Sequence, residues 1–241
     1  MTVREQRLIA LLDANSDDAE GLRTAVIREA KSLSLAVDGR ALVRCLEAEP
    51  RSVLDGTHLQ ALFHTSTFSS ALDVIVGVDD ELPVSLVAGA IKRVKERLAV
   101  DRCEVLVGTQ WRSEGVFLPV GVWLLLTRRH DLTHDAFKDY WRHTHAKLPF
   151  PHVKAFCQLY GDAAATALAS TALGIPAASY DGVSSPSWES VADFREFMLD
   201  PRLRIGAAED ERNFIDHARS AAAATTVAWS SAPAADLSVD S

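Results

Sequence analysis

The chain has 241 residues, 48% hydrophobic and 24% charged, with a formal net charge of −8, enough for one large domain or two small ones with real cores. The acidic balance argues against a nucleic-acid backbone or an anionic membrane surface as partner. No stretch approaches the ~20 consecutive apolar residues of a membrane span, and acids in MTVREQRLIALLDANSDD stand where a leader would carry its apolar run.

Three cysteines, Cys45, Cys103 and Cys157, lie far apart with no CxxC pair, as a reducing compartment permits, so no disulfide framework is implied. The expectation is a cytoplasmic protein. In chain order, RLIALLDA (7–14) reads as a strand and DDAEGLRTAVIREAKSL (17–33) as an amphipathic helix. GRALVRCLEAE (39–49) and ALDVIVGVD (71–79) are further strands. LPVSLVAGAIKRVKERLA (82–99) is a helix with a basic outer face, and CEVLVGTQWRS (103–113) closes the set. His58 and His64 lie in poorly patterned sequence and receive no role.

The second half repeats that order with cleaner signals. PVGVWLLLTRR (119–129) is a short apolar run ending in charge, as a buried strand would. Thr133 is a candidate N-cap with Asp135 in the first turn, and a helix then runs to about Leu148, stopped by Pro149 and Pro151. VKAFCQLYGD (153–162) alternates like a strand, and AAATALASTALGIP (163–176) is a loop or a short inserted helix. AASYDGVSSPSW (177–188) reads as a strand. Helical periodicity runs to about residue 199, Pro201 breaks it, and a further helical piece starts near Ala207. SAAAATTVAWSS (220–231) is the last strand, and the tail 231–241 is small and polar.

Each half is therefore β-α-β-β-α-β, a ferredoxin-like module. The fold class is α+β, with modules at 1–115 and 116–230. Helices cover one face of each antiparallel sheet and the other face needs cover. Two modules can lay those faces together as a barrel-like, single-chain pseudo-dimer; whether such pseudo-dimers pair again as a homodimer stays open.

The densest chemistry sits in DYWRHTHAKL (139–148). Residues two apart on a helix point roughly 200° apart, so His143 and His145 cannot serve one site, and the i, i+4 spacing of helical metal histidines is missing. No metal site is expected. Trp141 and His145 are i, i+4 partners, with Phe137 and Leu148 on the same stripe, so His145 faces inward. His143 lies outside with Lys138, Asp139 and Arg142. Tyr140 competes with Trp141 for the inward direction. Asp181, after Tyr180, either faces inward to orient His145 or caps the turn ahead of Gly182. Asp210, Glu211, Arg212 and Asp216 read as a solvated helix end, and His130 and His134 as surface residues. Trp111, Trp123, Trp188 and Trp229 read as core or seam residues. Glycine-rich phosphate loops, GxSxG and HExxH are absent, and Cys157 has no base nearby in sequence.

LLLTRRHDLTHDAFKDYWRHTHAKL, then YDGVSSPSWES, FREFMLDP and EDERNFIDHARS, resemble in order the EthD family of dimeric α+β barrel proteins, over about 119–228. The resemblance assigns the family's histidine to His145, its aromatic pair to Tyr140 and Trp141, its strand acid to Asp181 and its late acid to Asp216. Lys147 stands where the family usually has proline, and the first half has no Tyr-Trp…His counterpart. The implied activity is cofactor-independent, of a lyase, cyclase or isomerase kind on a small apolar carbonyl, aromatic or polyketide-like compound of secondary metabolism. His145, Asp181 and Tyr140 would be catalytic, with Trp141, Phe137 and Tyr180 against the substrate. An imidazole with a pKa near ~6.5 suits proton abstraction beside a carbonyl. The alternatives are a non-catalytic hydrophobic-ligand-binding or accessory barrel and, more distantly, a haem protein with a histidine ligand.

Overall fold

The computed structural model describes residues 2–14, 18–65, 68–113, 118–148 and 155–232. The first half contributes β1 (Thr2–Asp13), α1 (Ala19–Val37), β2 (Ala41–Ala48), α2 (His58–Leu62), β3 (His64–Thr65), β4 (Ser70–Gly77), α3 (Val84–Lys95) and β5 (Arg102–Ser113). The second contributes β6 (Val120–Leu126), α4 (His134–His143), β7 (Cys157–Gly161), α5 (Ala163–Leu173), β8 (Gly182–Ser184), β9 (Ser187–Trp188), α6 (Val191–Leu199), α7 (Pro201–Glu211) and β10 (Ala221–Ser230).

Strand order shows why these elements close on themselves. The first half pairs as β5-β1-β4-β2 and the second as β10-β6-β8-β7, each the order of a ferredoxin-like module. Antiparallel seams between β5 and β7, and between β10 and β2, join the two into a closed eight-stranded barrel, with β3 and β9 as short additions. Closure removes exposed sheet edges along the seams.

Side chains alternate across the barrel wall, as the two-residue repeat of a strand requires. Leu8, Ala10 and Leu12 of β1, with Leu72, Val74 and Val76 of β4, face α1 and α3. Val120, Val122, Leu124 and Leu126 of β6 face α4 and α6, with Phe137, Trp141, Phe194 and Phe197. Between them, Ile9, Leu11, Leu46, Phe68, Leu106, Trp123, Leu125, Leu159 and Val183 fill the barrel interior. One polar cluster shares that interior: Asp73 accepts from Arg7 Nε at 2.7 Å and from Arg44 Nε at 2.9 Å, and all three residues are buried.

The modules also exchange connecting segments. Between β2 and β4, a 3-10 turn (Arg51–Leu54) and α2 cross to the second module, where Leu54, Leu59 and Phe63 join its core. Arg195 of α6 donates to the carbonyls of Ser52 and Val53 at 3.2 and 2.9 Å. In return, α5 crosses to the first module, placing Ala169 and Leu173 in that core. Thr166 Oγ1 accepts from Val107 N at 3.0 Å and donates to Val107 O at 3.1 Å. The stretch left open between loop and helix is thus a helix. It is capped by the Asp162 side chain on Ala165 N at 2.9 Å and ended by Gly174 in the left-handed region.

Three boundaries differ from expectation. The expected strand 177–188 divides into β8 and β9 around Ser185 and Pro186, because proline lacks the N–H that a ladder needs. Pro201 opens α7 instead of merely ending α6, the one helix position where its missing N–H costs nothing. The helix expected through Leu148 ends at His143 and continues as a 3-10 turn, His145–Lys147. The expected stops at Pro149 and Pro151, and the tail from 233 onward, lie outside the described residues. No described helix is long and apolar enough to cross a membrane.

We take 115/116 as the module boundary, and the exchanged segments make the halves interdependent. Leu59→Ala and Leu173→Ala should each destabilise by about 2–5 kcal/mol, with one shared unfolding transition in urea. Two separated transitions in either variant would show that the halves fold independently.

Candidate functional site

The C-terminal helix layer is assembled on α4. Thr133 caps it, its side chain accepting from Ala136 N at 3.2 Å, and Asp135 sits in the first turn, where a carboxylate complements the helix dipole. Phe137 and Trp141 form the inward stripe at i, i+4 and are fully buried. Trp141 lies flat enough on the sheet that a Cβ on Gly182 would stand 2.7 Å from its ring and 2.5 Å from Leu159 O, so only glycine fits beneath it. Tyr160 meets the same indole edge-on at 4.9 Å between centroids.

Past the end of α4, the chain turns at Thr144, and the 3-10 turn points His145 inward, 6% exposed. The inward direction inferred from helical spacing holds, although the residue stands on the turn and not on the helix. Its ring packs against Phe214 at 5.0 Å. Phe214 also touches Tyr140 at 5.3 Å and Phe137 at 5.8 Å, so one buried phenylalanine positions three aromatic groups.

The hydrogen bonds around His145 form a chain. His145 Nδ1 lies 2.8 Å from Asp210 Oδ2. Tyr140 donates its hydroxyl to Asp210 Oδ1 at 2.7 Å, and Asn213 Nδ2 donates to the Tyr140 oxygen at 3.1 Å. Burial alone would raise the Asp210 carboxyl, but hydrogen bonds from Tyr140 and His145 outweigh it and hold the group below the usual carboxylate range. The bond to Asp210 likewise pushes the Tyr140 hydroxyl upward. Asp210, expected to be solvated, is therefore the acid that orients His145. It stands in the last turn of α7, and Phe214 follows just beyond the helix end.

Asp181 does not orient His145; its place is a second cluster. It accepts from Arg128 N at 2.9 Å, from the Arg128 guanidinium, and pairs with His134 Nδ1 at 3.2 Å. His134 Nε2 is 2.7 Å from Gly161 O. His134, expected at the surface, is half-buried and ties the start of α4 to β7 and to the residue before β8. Burial raises Asp181, but the bonds from His134 and Arg128 N and the nearby guanidinium charge outweigh it, leaving the group depressed. The cause of the difference is register: β8 begins one residue later, and the Asp181 carboxylate sits beside the strand-to-helix turn after β6. Tyr180 packs against the barrel-interior cluster instead of standing with His145, and burial raises its hydroxyl. Asp216, matched to the family's late acid, donates its amide to Thr127 O at 2.9 Å and accepts at its carbonyl from Ser220.

His143 is exposed, 3.9 Å from Asp139. It lines a groove of about 420 Å³ on the outer side of α4, where Arg142 stacks on Trp111 at 3.7 Å. Further cavities of about 360 Å³ and about 30 Å³ lie beside α3 and in the barrel mouth. None of these three includes His145. Among the described residues no group of three His, Cys, Asp or Glu side chains could hold a metal ion. Burial pushes the Cys103 thiol up to about 11 and Cys45 up to about 12, and raises Cys157 as well, which disfavours the nucleophilic thiolate.

Residues 129–218 match the EthD domain family. The whole chain shares its fold with a provisionally assigned monooxygenase from Lactobacillus acidophilus NCFM, at 8% identity and TM-score 0.52, covering 95% of each chain. A provisionally assigned monooxygenase from Fusobacterium nucleatum gives 7% identity and TM-score 0.52, covering 95% of this chain and 94% of the other. A provisionally assigned chlorite dismutase gives 13% and 0.51, covering 97% of both. At these identities the likeness is one of fold. No curated protein matches the sequence. The α+β barrel of two modules is thus a fold shared with these proteins, and the EthD match falls on the half that carries His145.

Both depressed carboxylates stabilise the folded state above the unfolded carboxylate pKa of about 4, and that contribution is lost as pH falls through their lower folded values. Asp181→Asn should be less stable than the parent in denaturant melts at pH 7, with the gap closing at lower pH as the parent's carboxylate protonates. A gap that stays constant down to pH 2 would contradict the pairing with Arg128 and His134.

Proposed function

We propose that the C-terminal module is a cofactor-independent acid–base catalyst acting on a small, largely apolar carbonyl compound, in a lyase, cyclase or isomerase reaction. The observation that carries this reading is the 2.8 Å contact between His145 Nδ1 and Asp210. A carboxylate on one ring nitrogen fixes the ring's orientation and supports the imidazolium that forms when the other nitrogen takes a proton. Proton exchange with a substrate is then assigned to the His145 ring. His145 removes a proton from the carbon beside the carbonyl; the electron pair of that C–H bond moves into the enolate, and the same imidazolium returns the proton or delivers it to a leaving hydroxyl.

Tyr140 takes a positioning role in this scheme, because its hydroxyl is committed to Asp210. Phe137 and Trp141 form the packed floor beneath Phe214 and His145. Asp181 and Tyr180, read from the sequence as catalytic and substrate-binding, belong to neighbouring clusters and hold the sheet-to-helix turn and the barrel wall.

A second reading, a barrel that binds an apolar ligand without chemistry, draws on the burial of His145 to 6% exposure and its packing on Phe214. The two separate in one assay. The protein is incubated in D2O with a panel of small aryl ketones and β-diketones, and deuterium incorporation beside the carbonyl is followed by NMR. Catalysed exchange should fall by about 10²–10⁴-fold in His145→Ala, and by a smaller factor in Asp210→Asn, with both variants folded. Exchange unchanged in His145→Ala would refute the mechanism, and a Soret band in the purified protein would favour the haem reading instead.

A further inference from the structure

Among the described residues, the barrel interior is apolar except at one mouth, where charge gathers around a small void. A cavity of about 30 Å³ is lined by Arg7, Arg44, Gly121, Trp123, Ser185 and Thr225, among others. Its volume holds one or two water molecules, or one ion of that size. Arg7 is wholly enclosed and Arg44 nearly so. Both guanidiniums donate to the Asp73 carboxylate, and Arg7 Nη1 also donates to Gln110 Oε1 at 3.2 Å and to Cys157 Sγ at 3.5 Å. The next acid, Glu5, is taken up by Arg112 at 2.9 Å and by Gln110. Arg7 also lies over the Trp123 ring at 5.2 Å.

A second observation points to an occupant. The Ser185 hydroxyl, on the cavity wall, is buried and makes no hydrogen bond, an arrangement that costs free energy unless something fills it. Gly121 faces the same void: a Cβ there would come within 3.4 Å of Thr225 Oγ1 and 3.3 Å of Pro186 O. Glycine therefore keeps open a space that a methyl group would occupy. Burial pulls the Arg44 guanidinium below its ordinary value against the attraction of Asp73, and Arg7 adds to that pull; burial also lowers Arg7, but Asp73 and Cys157 hold it above its own ordinary value.

We propose that this cavity is a binding site for one small monovalent anion, a halide or a triatomic oxyanion such as nitrite, held by the Arg7 and Arg44 guanidiniums and the Ser185 hydroxyl. Guanidiniums are donors only and match anions, and the volume excludes phosphate, sulfate and organic acids larger than formate. The site lies inside the barrel and not in the α4 layer, so it stands independently of the role given to His145.

The test is thermal unfolding of the whole protein at constant ionic strength, replacing sodium gluconate stepwise by chloride, bromide or nitrite. Binding to the folded state alone raises Tm with concentration in the manner of a saturable site. The expected result is a saturating rise for the small anions that gluconate does not give. Its midpoint concentration should increase at least tenfold in Ser185→Ala and in Gly121→Ala, and bromide-soaked crystals should show an anomalous peak between the two arginines. Equal melting in all four salts, with only water in the cavity, would overturn the proposal. So would an undiminished response in the Ser185→Ala variant, which leaves the arginine pair and the fold in place.

Discussion

A four-stranded antiparallel sheet with helices on one face has a second face that water would reach. That exposed face is the constraint from which the rest of this structure follows. Both faces of these strands are apolar: β1 offers Leu8, Ala10 and Leu12 to the helices and Ile9 and Leu11 to the barrel. Neither module can satisfy its inner face alone. Two modules in one chain meet through the β5–β7 and β10–β2 seams, and the inner faces become a shared core. The exchanged segments, α2 with its preceding turn and α5, extend that dependence to the outer layers.

Closure has a consequence for the placement of chemistry. The barrel interior is filled by Trp123, Phe68, Leu46 and their neighbours, with a charged cluster at one mouth. The proposed proton-transfer site lies between sheet and helix, where α4 and the chain after α7 approach. There Phe214 holds Phe137, Tyr140 and His145 together, and the Asn213–Tyr140–Asp210–His145 chain supplies direction and charge. The first module's helix α1 packs Ala25, Val26, Ala30 and Leu33 on its inner face, and its buried carboxylate, Glu29, is taken up by Arg93 at 2.6 Å. In the proposed scheme one half carries the chemistry, and the other completes the barrel.

The pattern of the sequence exposes much of this and hides the rest for physical reasons. The strands and long helices were legible because a period of two or of 3.6 is imposed along the whole element. His145 was legible through its spacing from Trp141. Its acid was not: Asp210 lies 65 positions away, and a long-range side-chain pair leaves no local trace. Asp181 was attractive because it follows a tyrosine in a strand-like run, yet β8 starts at Gly182. One residue of register separates a carboxylate beside the strand-to-helix turn from one facing the helix layer. His134 looked superficial since it opens a helix after a charged turn, and only the fold reveals Gly161 and Asp181 around it.

The proposed chemistry rests on a single ring at position 145, oriented by Asp210. The most direct test is a crystal structure of the protein with a slowly reacting enolisable aryl ketone bound. The account predicts the carbon bearing the acidic proton within about 3.5 Å of the His145 ring, with the Asp210 contact retained. A ketone bound elsewhere, or a His145 ring that has left Asp210 to make room, would contradict it.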